Sequence, residues 1–230
     1  EALPVTLANI GAGADLHADG DINIYARMGA KGTMKADSKA YAGLGSGGAA
    51  EAYWAVGAAN NNFNSAPRET TVNLDANARL RAENTLTLYS VVSEVDVNSI
   101  SSSSAASAFY SDPDAESRTL ITSIALITAK SGAQAIGVNA LDAIATHRDI
   151  TNYANAAAYG GSAFGAPDAD SWAINRLNAR IITDAGSAFG SKDVDVQANF
   201  NPPFSLKSKQ LAKGFSLNVF DDRGDAHLEN

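Results

Sequence analysis

Apolar and polar positions alternate with period two over most of this chain, the pattern of strands with one covered face. It is clearest in residues 14–26 (ADLHADGDINIYA) and 78–90 (ARLRAENTLTLYS), which align without a gap. Ala14, Leu16, Ala18, Ile22, Ile24 and Tyr25 fall on Ala78, Leu80, Ala82, Leu86, Leu88 and Tyr89. Between the two halves of each unit stand turn formers that tolerate positive φ, Asp19-Gly20 in one and Glu83-Asn84 in the other. Each unit therefore predicts a short strand, a tight corner and a second strand, with Leu16, Ile22, Ile24, Leu80, Leu86 and Leu88 pointing inward. A third copy reads as broken, ARIITD at 179–184 and DVDVQA at 193–198, which adds Ile181, Val194 and Val196 to the expected interior. Residues 226–230 read as the opening of a fourth.

Between the copies the alternation continues, mostly in smaller residues: Ala36, Ser38, Ala40, Ala42 and Leu44 in one stretch, Val95, Val97, Ser99 and Ser101 in another, with 120–129 and 133–145 continuing it. Small inward side chains suit two walls lying close together. Breaks at 60–68 (NNNFNSAPR), 111–116 (SDPDAE) and 200–204 (FNPPF) predict loops, and 185–191 reads as an insertion. Residues 168–178 fit either a short amphipathic helix or a further strand. The whole predicts an all-β, parallel β-helix solenoid with irregular loop insertions. It is a single segment over 1–230, read as a piece of a longer chain. With roughly 20–25 residues per coil it would hold on the order of ten coils.

Composition narrows the functions. Hydrophobic content of 45% against 18% charged residues marks a folding chain, while only 7% aromatics points to a thin core. A net charge of −8 repels a nucleic-acid backbone, and the lysines at 207, 209 and 213 have no interleaved aromatics. No apolar run reaches the ~18 residues of a membrane span. The absence of cysteine removes disulfides, thiolate metal sites and cysteine nucleophiles.

Units such as GADLHADGDINIYA and NARLRAENTLTLYS resemble the degenerate β-helix repeats of filamentous-haemagglutinin-like and other giant bacterial surface adhesins. The resemblance implies a right-handed helix, export to the cell surface or beyond, and a part in attachment or cell–cell contact. Expected partners are other segments of the same long chain or neighbouring copies, and a host or cell-surface protein or glycan. Two alternatives stand beside this adhesive module: a self-assembling extracellular filament subunit, and a carbohydrate-active β-helix enzyme.

Candidate chemistry is sparse, and no catalytic or cofactor-binding residue is expected. His17, His147 and His227 stand apart in sequence and read as exposed strand or corner residues. The Asp-x-Asp pairs 112/114, 168/170 and 193/195 put two carboxylates on one side of a strand, the one place where calcium would find several oxygen ligands. The same pairs are the only candidate acids for a polysaccharide-cleaving enzyme, which needs them gathered with a basic residue. Arg223, Gly224 and Asp225 spell an adhesive tripeptide, expected in an exposed turn at 221–225.

Overall fold

The computed structural model describes residues 6–57, 67–215 and 223–229. Every element among them is a strand. The first coil holds β1 (Thr6–Ile10), β2 (Asp15–Ala18), β3 (Ile22–Tyr41) and β4 (Gly45–Val56), closed by β5 (Arg68–Leu74). The second holds β6 (Arg79–Ala82), β7 (Thr85–Ala106) and β8 (Tyr110–Ala129). In the third lie β9 (Gln134–Gly137), β10 (Ala140–Gly161), β11 (Phe164–Gly165) and β12 (Asp168–Thr183). The fourth has β13 (Ala188–Gly190), β14 (Asp193–Phe215) and β15 (Arg223–Glu229).

Stacking these coils gives three parallel sheets. A front wall runs β14-β10-β7-β3 and a short corner sheet β13-β9-β6-β2. The back wall runs β1-β5-β8-β12-β15, with β4 and β11 also on β8. The chain is thus a parallel β-solenoid, as the alternation predicts. Its period is not the expected one. Leu16 pairs with Leu80, Leu80 with Ala135 and Ala135 with Phe189, so successive coils are 64, 55 and 54 residues long. The described chain makes four long coils, not ten short ones. The extra length of the first lies between Val56, which pairs 65 residues on with Ile121, and Arg68, which pairs 55 residues on with Ser123.

Four corners align in this register: 11–14 (GAGA), 75–78 (DANA), 130–133 (KSGA) and 184–187 (DAGS). The third residue of each has positive φ: Gly13 69°, Asn77 59°, Gly132 73° and Gly186 75°. Gly and Asn are the residues that enter this region at least cost, which explains the column. The repeat therefore recurs at 133–145 and 187–198. DVDVQA does open the last long strand, with Val194 on Leu141 and Val196 on Ala143. ARIITD does not open a unit. It ends β12 on the back wall, where Ile181 pairs with Ile127. Residues 226–229 likewise continue the back wall in β15, with Ala226 opposite Ser171.

Each coil has a thick half and a thin half. Near the corner sheet, Leu74, Leu80, Leu86, Leu88, Val72, Ile121 and Ile127 fill a continuous apolar core. Further along the walls the inward residues shrink to Ala, Ser and Gly. There the walls come close enough for hydroxyls of one to reach backbone carbonyls of the other: Ser99 Oγ donates to Ala52 O at 2.5 Å and Ser103 Oγ to Gly48 O at 2.6 Å. Ala115, Ala156, Ala158 and Ala169 complete this thin core. With no room between the walls, Ala156→Leu should lower stability by about 1–3 kcal/mol. Thermal denaturation followed by circular dichroism checks this, and an unchanged midpoint would refute a tight wall-to-wall fit.

Of the nine residues expected inside, Leu80, Leu86 and Leu88 are fully buried, while Ile22, Ile24 and Ile181 are partly covered and pack on the core. Leu16 (41% exposed), Val194 and Val196 (both 48%) hold the same columns, but in the outermost coils, where one side has no described neighbour.

Two expected loops are strands. Residues 111–116 lie within β8, and Pro113 stands opposite the break between β11 and β12, so its missing N–H removes no ladder bond. Residues 200–204 lie within β14 at a bulge column, where Asp149 (φ 54°) and Glu94 (φ 57°) already bend the neighbouring strands. Pro202 and Pro203 are accommodated because β14 is the outermost described strand of the front wall and is bulged there. Residues 168–178 are strand as well. Part of the expected insertion at 185–191 is the short strand β13. The loop expected at 60–68 lies for the most part outside the described residues.

Candidate functional site on the back wall

Alternation in β4, β8 and β12 puts every second side chain on the outer face of the back wall, and the pairing lines them up in rows. Glu51, Glu116 and Asp170 form one row, Tyr53, Arg118 and Trp172 the next, and Asp114 faces Asp168 in a third. Five carboxylates and one guanidinium are thereby gathered on three neighbouring strands, which lie about 4.8 Å apart.

The rows brace one another. The Tyr53 hydroxyl donates to Glu116 Oε2 at 2.6 Å and sits 3.2 Å from Glu51 Oε2. Burial, and then these two carboxylates, push that hydroxyl far above its ordinary pKa. Arg118 is ion-paired with Glu116. Its guanidinium lies 5.6 Å from the Tyr53 ring centre and 4.5 Å from that of Trp172. The aromatic faces nearest the acids are thus covered by a cation of the chain itself.

Asp114 carries the strain of the arrangement. Burial raises its pKa first, and Asp168, Glu116, Asp170 and Glu51 raise it further. A carboxyl with a raised folded pKa weakens the fold once it ionises, so the penalty appears as pH rises through that pKa and is absent under acid conditions. Asp114→Asn should therefore raise the melting temperature at neutral pH and leave it unchanged near pH 3. A uniform shift at both pH values would refute the electrostatic cause.

Two of the three Asp-x-Asp pairs thus contribute to one patch. Asp193 and Asp195 instead begin β14 on the front wall. Among the described residues, no three acidic or imidazole side chains converge as a metal site. The histidine expectation needs correction: His147 is fully buried, because its front-wall position faces the interior. Its Nε2 lies 3.0 Å from Ser123 Oγ. With Nδ1 unpartnered among the described residues and no carboxylate behind it, the pair lacks the third member of a nucleophilic triad. Of the turn expected at 221–225, the first two residues lie outside the described residues and the other three are not a turn. Arg223, Gly224 and Asp225 begin strand β15, paired with Asp168, Ala169 and Asp170, so the backbone there is extended.

No family model, curated protein or solved structure matches this chain. The patch was hidden in sequence because its signal is the coil period. Once residues 49–55, 114–120 and 168–174 are set one above another, their acidic and aromatic positions stand in columns.

Proposed function

We propose that the chain is a structural and adhesive module of a large secreted or cell-surface protein, in which stacked coils carry a contact face outward. The supporting observation is the continuity of its columns. The corners repeat in register through the four coils, the inward columns run on from the core into the last of them, and the outer rows line up across three strands, as in a rod that extends by adding coils. The back-wall patch is the contact face this reading favours. Its test is binding of the purified chain to glycan arrays and to cultured cells, with Trp172→Ala and Glu116→Gln as patch variants. Saturable binding weakened by both variants supports the module, and binding indifferent to them would overturn the choice of face.

A second reading, a carbohydrate-active enzyme, is favoured by the gathering of Asp114, Glu116, Asp168 and Asp170 with Arg118. Such an enzyme needs acids within reach of one sugar ring and a basic group beside them. The adhesive reading expects no turnover on a panel of polysaccharides. Cleavage lost in Asp114→Asn or Asp170→Asn would establish the enzyme instead.

A further inference from the structure

The two outer strands of the front wall, β3 and β14, each leave one edge without a described neighbour. Beside the β14 edge the apolar interior is open: Val194 and Val196 are half exposed, and Phe200 is 51% exposed. Geometrically the best-matched cover is one more coil. The candidate nearest to hand is the first coil of a second copy, because its inward residues continue the columns: Ile22, Leu86, Leu141 and Val194 share one, and Ile24, Leu88, Ala143 and Val196 share the next.

Charge decides against that candidate. Lys35 pairs with Ile100, Ile100 with Asn155 and Asn155 with Lys209. Lys39 pairs with Ser104, Ser104 with Tyr159 and Tyr159 with Lys213. A second copy continuing the stack in register would set Lys35 beside Lys209 and Lys39 beside Lys213. Directly opposed like charges on neighbouring strands destabilise the pairing. Asp37, between the two lysines of β3, stands in the column of Leu211, so one carboxylate meets four cations. All four lysines are exposed on the outer face. The glutamate row of the back wall is a different case, since Arg118 and Tyr53 compensate it from within. Register offers no escape. A slip of one residue turns the apolar columns outward, and a slip of two breaks the positive-φ corner column.

We infer that the β14 edge is an interaction surface for a further solenoid coil bearing Asp or Glu opposite Lys209 and Lys213, and that its lysines reject a second copy of this chain. The inference rests on the rod reading, yet the two fail separately, because self-association is measured without any adhesive ligand.

The test is a charge swap on the 230-residue chain, followed by sedimentation velocity and electron microscopy at low salt. Wild type should remain monomeric. Lys209→Glu/Lys213→Glu should associate end to end, and so should Lys35→Glu/Lys39→Glu, each at least about tenfold more tightly than wild type and less so as salt rises. The quadruple variant restores like charges and should be monomeric again. Two independent doubles guard against one misfolding, and circular dichroism identifies any that does. Wild type stacking as readily as the doubles would overturn the inference. So would doubles that stay monomeric, or a quadruple variant that stacks as they do.

Discussion

Leu88→Ala should destabilise the chain by about 2–5 kcal/mol, the range for removing a fully buried leucine whose surroundings cannot collapse into the space. Leu88 is wholly inaccessible and lies in the leucine-lined half of a central coil, between Ile24 on one side and Ala143 on the other. Its neighbours are strands fixed by ladders on both edges, so relaxation is small. Val196→Ala is the matching control. Val196 occupies the same column in the outermost coil and is already 48% exposed, so its truncation should lower stability by less than about 1 kcal/mol. Chemical denaturation of the two variants measures the contrast. Equal losses would mean that Leu88 is not enclosed by coils on both sides.

That contrast also explains what was legible in the sequence. Alternation depends only on the two faces of a strand, so the class of fold, the inward set at Leu80, Leu86 and Leu88, and the thin Ala/Ser half could be read residue by residue. The coil period could not, because it depends on which distant strands pair. The unit at 133–145 keeps the corner glycine and the alternation but has Ala135 where the first two copies have Leu16 and Leu80. Residues 179–184 meanwhile mimic a unit opening while belonging to the back wall. The prolines misled for a related reason. Pro113, Pro202 and Pro203 break strands where both edges must bond, and here each sits at a gap or at a bulge in the outermost described strand. The acidic patch had the same obstacle. Residues that share one of its rows lie more than fifty apart and become neighbours only through pairing, whereas the Asp-x-Asp pairs visible in sequence include one, 193/195, that never joins it. Stacked tyrosines were the one long-range hint available: Tyr25 and Tyr89, aligned in the repeat, do meet edge to face with ring centres 5.9 Å apart.

Acidification from about pH 6.5 to pH 4 should remove about 3 kcal/mol of stability through one residue, His147. Burial lowers its pKa from 6.5 to about 4 in the folded chain, and the contact with Ser123 only partly offsets this. The sign follows from proton counts. Between these two values the unfolded chain holds a proton on the histidine and the folded chain does not, so falling pH favours unfolding throughout that window. A difference of this size corresponds to about 3 kcal/mol at 1.36 kcal/mol per pH unit. The groups around the ring cannot compensate the charge: Ser123 is neutral, Phe200 packs with its ring centre 5.4 Å away, and Val92 lies alongside on β7. Other groups act at different pH. Asp75, held down to about 2 by Lys130, Asn73 and Asn9, contributes stability that is lost only as pH falls below about 4. Asp114 has the opposite sign, since protonating it relieves repulsion. His147→Gln keeps a polar group for Ser123 but cannot titrate. Urea unfolding at intervals from pH 7 to pH 4 should therefore show a steep loss of stability in the wild type and a much flatter line in the variant. Parallel lines would show that His147 is not the group that senses acid.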